Sequence, residues 1–278
     1  MVGAAILVAV SLGADSSKST RSGAIDRVVA GFYPLAFAAE QVGGPGVEVD
    51  NLTPSGVEPH DVEVSSDDVR ALASADLVLL MGKGFQPQLE QAAGEGNAEV
   101  VEALDTSGLG LRDDDPHVWL DPLRYALIAE RVAQVLGRPG AAEPLVHRLQ
   151  ALDRDYRAGL ADCARDEIVT NHEAFGYLAE RYSLRQVPVT GLSPEAEPSP
   201  AALAEVIDEV RASGATTVFA EPLLPRSVEN TIARETGTQV ATLNPLESLT
   251  EAEQERGGDY FTVMQRNLAA LREGLGCR

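Results

Sequence analysis

The chain contains 278 residues, 44% of them hydrophobic, and carries a formal net charge of −21. Two domains of ordinary size fit within this length, and the hydrophobic fraction argues against extensive disorder. The acidic balance argues against nucleic acid as a partner, because binding to phosphates requires basic patches, and it suits a protein that attracts cations.

The N-terminus resembles an export signal. Residues 2–14 form a small, apolar run that is too short to span a bilayer but has the length of a signal-peptide core. Asp15 stands where a lipoprotein cleavage site would have a cysteine, and residues 15–23 are rich in serine and charge. We therefore expect residues 1–23 to be a signal-like segment with a flexible tether. We expect the protein to be extracytoplasmic, in the periplasm or on the outer face of the cell membrane, either free or anchored.

The first half of the chain alternates short apolar runs with helical patterns. Predicted strands lie at residues 27–32, 47–52, 76–81 and 100–104, and predicted helices lie at residues 34–41, 66–73, 86–93 and 123–136. Glycine and proline in residues 137–140 end the last of these helices.

Residues 142–164 form one long amphipathic pattern with no strand directly before it, which predicts a connecting helix. After it the alternation returns. Predicted strands lie at residues 167–170, 186–190, 216–220 and 239–243, and predicted helices end at residue 181 or lie at residues 200–212, 225–235 and 259–275. This order predicts an α/β fold of two lobes with mainly parallel sheets, at residues 24–141 and 165–278, joined by one long rigid helix.

The two cysteines, Cys163 and Cys277, form no Cys-x-x-Cys pair, which excludes a zinc knuckle. They lie at the start and the end of the second lobe. Because exported proteins usually keep their cysteines paired, we expect a disulfide that clips the last helix to the start of this lobe.

Three of the four histidines lie in distinctive loops. His117 stands between Pro116 and Pro122, which stiffen the chain around it, and His60 and His172 each follow a predicted strand. In open α/β sheets, ligands bind beyond the carboxyl ends of the strands. We therefore expect these imidazoles to meet in the cleft between the lobes, although each alone would also fit a loop histidine that binds nothing.

The second lobe has a carboxylate at or near the end of two predicted strands. Glu221 ends one of these strands, and Glu247 lies just beyond another. Three imidazoles with one carboxylate suit zinc, whereas a manganese site is expected to be richer in carboxylates. Glu221 also fits a structural acceptor at a strand end. His147, the fourth histidine, lies on the exposed face of the predicted connecting helix, and we expect it to bind no metal.

Several motifs, in order along the chain, resemble the zinc- and manganese-binding solute-binding proteins of bacterial ABC transporters, especially the zinc-uptake type. The resemblance runs from about residue 27 to the C-terminus. The motifs that carry it are residues 56–61 (GVEPHD), 115–122 (DPHVWLDP), 171–178 (NHEAFGYL), 195–200 (EAEPSP) and 218–222 (VFAEP).

The resemblance implies two α/β lobes joined by a rigid helix, with the metal between them. The metal ligands of the family fall on His60, His117 and His172, and the fourth falls on Glu247, where the family usually has an aspartate before a serine. Histidine rather than glutamate at position 172 favours zinc over manganese. The fourth position remains open between Glu247, Glu221 and water. The polar, glycine-ended stretch at residues 244–258 is expected to be the mobile part of the site.

The resemblance thus predicts a monomer that captures zinc and delivers it to an ABC transporter permease, with a manganese-binding component as the alternative. A surface adhesin role would not conflict with metal binding. A zinc-dependent hydrolase is the rival from another class, and it would need Glu58, Glu173 or Glu221 as a general base near the metal.

Overall fold

The computed structural model describes residues 24–194 and 196–278, so the predicted signal-like segment and Glu195 lie outside the described residues. The first lobe contains a parallel sheet in the order β2-β1-β3-β4. Its strands are Arg27–Ala30 (β1), Glu48–Asn51 (β2), Leu77–Leu80 (β3) and Glu99–Glu102 (β4). The central strand β3 is buried throughout, as expected where helices cover both faces of a sheet, and the edge strands carry charged residues.

Four helices pack on this first sheet. They are Tyr33–Gly43 (α1), Ser66–Ser74 (α2), Pro87–Gly94 (α3) and Pro122–Val135 (α4). Two 3₁₀ turns interrupt the loops that lead to the cleft, at Pro59–Asp61 and Val118–Leu120. The sequence predicts the strands and the α-helices, whereas three-residue turns have too short a pattern to be read from it.

The connecting helix α5 spans Glu143–Gly159. It packs against α4, and the Tyr156 hydroxyl donates a 2.6 Å hydrogen bond to the Met264 carbonyl of the second lobe. The expectation of an uninterrupted helix to residue 164 is wrong, because the helix ends at Gly159 and the backbone leaves helical geometry at Leu160, where φ is −107° and ψ is 7°. A Cβ on Gly159 would lie only 3.1 Å from the side chains of Leu268 and Arg272. Glycine at this position therefore allows α5 to pack closely against the last helix of the chain, Tyr260–Leu275.

The second lobe repeats the topology of the first, with a parallel sheet in the order β6-β5-β7-β8. Its strands are Glu167–Thr170 (β5), Arg185–Pro188 (β6), Thr217–Ala220 (β7) and Gln239–Thr242 (β8). Its helices are Gly176–Tyr182 (α6), Pro200–Ser213 (α7), Ser227–Thr236 (α8), Glu251–Glu255 (α9) and Tyr260–Leu275 (α10). The predicted α/β architecture of two parallel-sheet lobes with one connecting helix is therefore confirmed.

The predicted disulfide joins Cys163 to Cys277 and closes a separation of 114 residues. Backbone hydrogen bonds run beside it, from the Ala164 N–H to the Gly276 carbonyl and from the Arg278 N–H to the Asp162 carbonyl. The bridge thus attaches the end of α10 to the segment that enters β5. None of the helices in the described ranges is both long and apolar enough to cross a bilayer.

Candidate metal centre

His60 lies in the 3₁₀ turn that follows β2. The Glu58 carboxylate accepts a 3.3 Å hydrogen bond from the His60 backbone N–H, and the imidazole packs edge-on against Phe85 with ring centroids 4.6 Å apart. Its side chain is 14% exposed, which makes it the most accessible member of the site.

His117 follows β4 and is fully buried. Its Nδ1 lies 2.8 Å from Oδ1 of Asp115, and the same oxygen accepts a 3.0 Å hydrogen bond from the His117 backbone N–H. A carboxylate only accepts hydrogen bonds, so Nδ1 carries the proton and Nε2 is left to face the cleft. A carboxylate behind the ring is the usual support of a metal-binding histidine, because it fixes both the ring and the tautomer.

His172 is held in the same way from the second lobe. It follows β5 directly, and its Nδ1 lies 2.6 Å from Oε1 of Glu221, at the end of the neighbouring strand β7. The same oxygen accepts a 3.2 Å hydrogen bond from the His172 backbone N–H. Glu221 therefore lies behind the ring, on the side away from the cleft. The alternative that Glu221 is itself the fourth ligand disagrees with this placement.

Glu247 follows β8 and is only 1% exposed. Its Oε1 lies 3.3 Å from Nε2 of His60, 3.1 Å from Nε2 of His117 and 3.3 Å from Nε2 of His172. Its other oxygen, Oε2, is buried with no hydrogen-bond partner in the described parts of the chain. A buried carboxylate with an unpaired oxygen is costly unless a cation is present.

The four side chains form one cluster, in which one ligand atom from each lies within 4.8 Å of every other. Nε2 of His117 and Nε2 of His172 are 3.4 Å apart. Zinc bonds of 2.0–2.1 Å in a tetrahedron place neighbouring ligand atoms about 3.3 Å apart. Four of the six edges of the cluster lie between 3.1 and 3.4 Å, close to this length, and the remaining two, from His60 to His117 and to His172, are within 4.8 Å. The donor set and its spacing therefore fit a zinc ion.

The buried charges of the cluster depend on one another. Burial alone would lower the pKa of His172, but the carboxylates of Glu247 and Glu221 outweigh it and raise this pKa well above its usual value. Burial likewise opposes a raised pKa at His117, and hydrogen bonds to Asp115 and Glu247 overcome it. Burial would raise the pKa of Glu247, but His172 and the hydrogen bonds from the three imidazoles hold it well below its usual range. The imidazoles and the Glu247 carboxylate thus favour one another's charged forms.

The carboxylates proposed as a general base for hydrolysis are occupied or outside the cluster. Glu221 bonds to His172 through both Nδ1 and the backbone N–H. Burial and the charge of Glu247 raise the pKa of Glu58 to about 9, so this group holds a proton at neutral pH. Glu173 is half-buried and is not among the grouped side chains. His147 is exposed on α5, away from this group, as expected.

Two residues of the 115–122 motif make contacts in the site that the sequence does not show. Asp115 stands beside His117 in the chain, but nothing in the pattern shows that its carboxylate turns back to Nδ1. Trp119 donates a 2.8 Å hydrogen bond from its indole N–H to the Pro245 carbonyl, 126 residues away. A contact of this separation is visible only once the lobes are folded together.

Residues 243–249 are all buried, so the expectation of a mobile loop around Glu247 is wrong for this part of residues 244–258. The Ser248 hydroxyl donates to the Pro54 carbonyl at 3.2 Å, and the Gly56 N–H donates to the Leu249 carbonyl at 2.8 Å. The exposed and polar part begins only at about residue 250, where α9 follows. The polar composition of residues 244–258 as a whole does not show that the first part is buried and the second part exposed.

Comparisons with known proteins agree with the geometry. The chain is 32% identical over 308 residues to the high-affinity zinc uptake system protein ZnuA of Bacillus subtilis, covering 99% of this chain and 96% of that protein. It is also 32% identical over 298 residues to the zinc-binding lipoprotein AdcA of Streptococcus pneumoniae, covering 97% of this chain but 59% of that longer protein.

Solved structures show the same fold. The Zn(II)-bound ZnuA-like domain of Streptococcus pneumoniae AdcA is 33% identical, with a TM-score of 0.77 over 91% of this chain and 99% of that chain. The laminin-binding protein Lmb of Streptococcus agalactiae, described as bifunctional with adhesin and metal-transporting activity, is 30% identical, with a TM-score of 0.81 over 90% of this chain and 99% of that chain.

The family model for the periplasmic component A of the zinc-uptake complex, ZnuA, matches residues 28–274. This match confirms the resemblance predicted from the five motifs, and it identifies a solute-binding component of a transporter rather than an enzyme. The chain belongs to the ZnuA family of periplasmic zinc-uptake components.

Proposed function

We propose that this protein captures zinc outside the cytoplasm and delivers it to the permease of an ABC transporter. The observation that carries the proposal is the buried convergence of three imidazole Nε2 atoms on one carboxylate, between two lobes. The proposed zinc ligands are His60, His117, His172 and Glu247. The names of the relatives support zinc as the transported ion.

The chemistry of the donor set supports zinc over manganese. Imidazole is a ligand that zinc takes readily, and hard cations such as manganese prefer sites richer in oxygen. The cluster offers three nitrogens and one carboxylate, at spacings that fit a tetrahedron. Four protein ligands also leave no open position for a reacting water, which suits capture rather than catalysis.

The proposal extends to the organisation of the chain. Residues 24–141 and 165–278 form the two lobes, residues 142–164 connect them, and residues 1–23 serve export. We place the mature protein on the outer side of the cytoplasmic membrane, where it works as a monomer and meets its permease.

The test is the metal content of protein purified without chelator, measured by mass spectrometry, followed by competition between zinc and manganese. We expect one zinc ion per chain, retained against equimolar manganese. A protein with His147→Ala should behave like the wild type, because this exposed histidine lies away from the cluster. Stoichiometric manganese retained in the presence of zinc would refute the proposal.

A further inference from the structure

The residue before Glu247 has an unusual backbone. Leu246 has a φ of 59° and is fully buried. Side chains with a Cβ rarely adopt this left-handed conformation, and it persists only where the surroundings hold it in place. The direction in which Glu247 leaves the chain therefore depends on the contacts that hold the Leu246 turn.

One set of these contacts comes from the second lobe. The Leu246 N–H donates to Oδ1 of Asn244 at 2.7 Å. Asn267, buried on α10, accepts from the Asn244 N–H at 2.9 Å and donates to the Asn244 carbonyl at 2.7 Å. These bonds fix the start of the turn, but they leave the Pro245 carbonyl free to bond elsewhere.

The Pro245 carbonyl is held from the first lobe by Trp119. Its indole N–H donates to this carbonyl at 2.8 Å, and the whole residue is buried. The Trp119 carbonyl accepts a 2.6 Å hydrogen bond from the Tyr260 hydroxyl, and the ring centroids of Trp119 and His117 are 5.1 Å apart. One side chain thus contacts a histidine of the first lobe and the turn that carries the carboxylate of the second.

We infer that Trp119 is a positioning residue for zinc binding. Its N–H holds the Pro245 carbonyl, so that the left-handed turn at Leu246 aims Glu247 at the three imidazoles. This inference rests on the proposed function, because it concerns the affinity of the same site. It also implies that the fourth ligand is in place only when the two lobes are seated against each other.

The test removes the N–H donor and measures zinc affinity by competition with a chromogenic chelator. Trp119→Phe should weaken zinc binding by about 10- to 100-fold, the usual loss when a group that orients a metal ligand is removed. Tyr156→Phe is the matched control, since it removes another buried hydrogen bond to a carbonyl, at 2.6 Å, that involves neither Trp119 nor residues 244–247. The control should retain wild-type affinity.

A second replacement separates the hydrogen bond from the loss of ring volume. Trp119 is the only tryptophan of the chain, so a tryptophan analogue with sulfur in place of the indole N–H enters at this position alone. The analogue keeps the bicyclic shape and should show the same loss of affinity. Wild-type affinity with the analogue would overturn the inference, whether or not Trp119→Phe folds.

A double-substitution cycle tests whether Trp119 acts through Glu247. In a Glu247→Gln background, the change at Trp119 should add little further loss, because the ligand that it positions is already impaired. Equal losses of zinc affinity in the wild-type and Glu247→Gln backgrounds would show that Trp119 does not act through Glu247, and would overturn the inference. A wild-type protein that binds no zinc would refute the proposed function instead.

Discussion

Alanine substitution of the histidines should weaken zinc binding to different extents. The loss should depend on how deeply the ring is buried and on whether a carboxylate bonds to its Nδ1. His117 and His172 are fully buried, and each has a carboxylate behind its ring. His60 is 14% exposed, and its backbone N–H rather than its ring bonds to the neighbouring Glu58. We expect equally large losses at positions 117 and 172, a smaller loss at position 60, and none for His147→Ala.

The size of the loss follows from the number of ligands. Structural zinc sites bind with roughly 10–16 kcal/mol at neutral pH. Shared evenly among the four side chains of the cluster, this is about 2.5–4 kcal/mol for each ligand, or roughly 10²- to 10³-fold in affinity at 1.4 kcal/mol per tenfold. His60→Ala should fall at the lower end, because water can reach its position and replace the lost nitrogen.

The assay is competition for zinc with a chelator of known affinity, with metal-free unfolding curves to confirm that each variant folds. The comparison between His60→Ala and His117→Ala carries the reasoning, since both remove an imidazole from the same cluster. A loss at His60 as large as that at His117 would show that burial and carboxylate support do not set the contribution of a ligand. Equal losses that include His147 would show that the cluster is not the site.

Three further results are expected. Because the carboxylates raise the pKa values of His117 and His172, protons compete with zinc at both rings. Zinc affinity should therefore fall as the pH falls, beginning above about pH 6.5, the usual pKa of histidine. Calorimetry in different buffers should detect the protons that zinc binding releases. A flat affinity between about pH 5 and 7.5 would contradict this. Replacing Cys163 and Cys277 by serine should lower the free energy of unfolding, measured with denaturant, by up to about 5 kcal/mol, because the bridge closes a 114-residue separation. Zinc affinity should not change. A loss of zinc binding in the folded variant would show that the disulfide stabilises the site. Small-angle scattering should give nearly the same radius of gyration with and without zinc, because α5 packs against both lobes, and a large decrease on adding zinc would reveal a wide hinge.

The fold was predictable because its signals are local. Strands of a parallel sheet covered on both faces read as short apolar runs, as in β3 and β5, and each is followed by a helical pattern. The grouping of the three histidines was also predictable, since binding sites of open α/β sheets lie beyond the carboxyl ends of strands. Their positions after β2, β4 and β5 follow this rule.

The direction of side chains was not predictable, because it depends on contacts between distant segments. Glu221 could be recognised as a carboxylate at a strand end, but only the pairing of β5 with β7 places it behind the ring of His172 rather than within the cluster. The prediction of a mobile stretch after β8, at residues 244–258, failed in part for a related reason. It looks polar and loose, yet residues 244–249 are buried because both lobes close over them.

For the zinc site proposed above, the hydrogen bonds around Glu247 constrain how the ion can leave. The turn that carries this carboxylate is bonded to the first lobe on both sides, through Trp119 before it and through Pro54 and Gly56 after it. Withdrawing Glu247 by a movement of its turn would break these bonds and leave buried polar groups unpaired, which costs more than the bonds themselves contribute. His60 has no such restraint on its exposed side, and its ring centroid lies 5.8 and 6.1 Å from those of His117 and His172, which are 5.2 Å apart. The side chain that can leave the metal with the least disruption is therefore the accessible histidine of the first lobe, and not the carboxylate of the second.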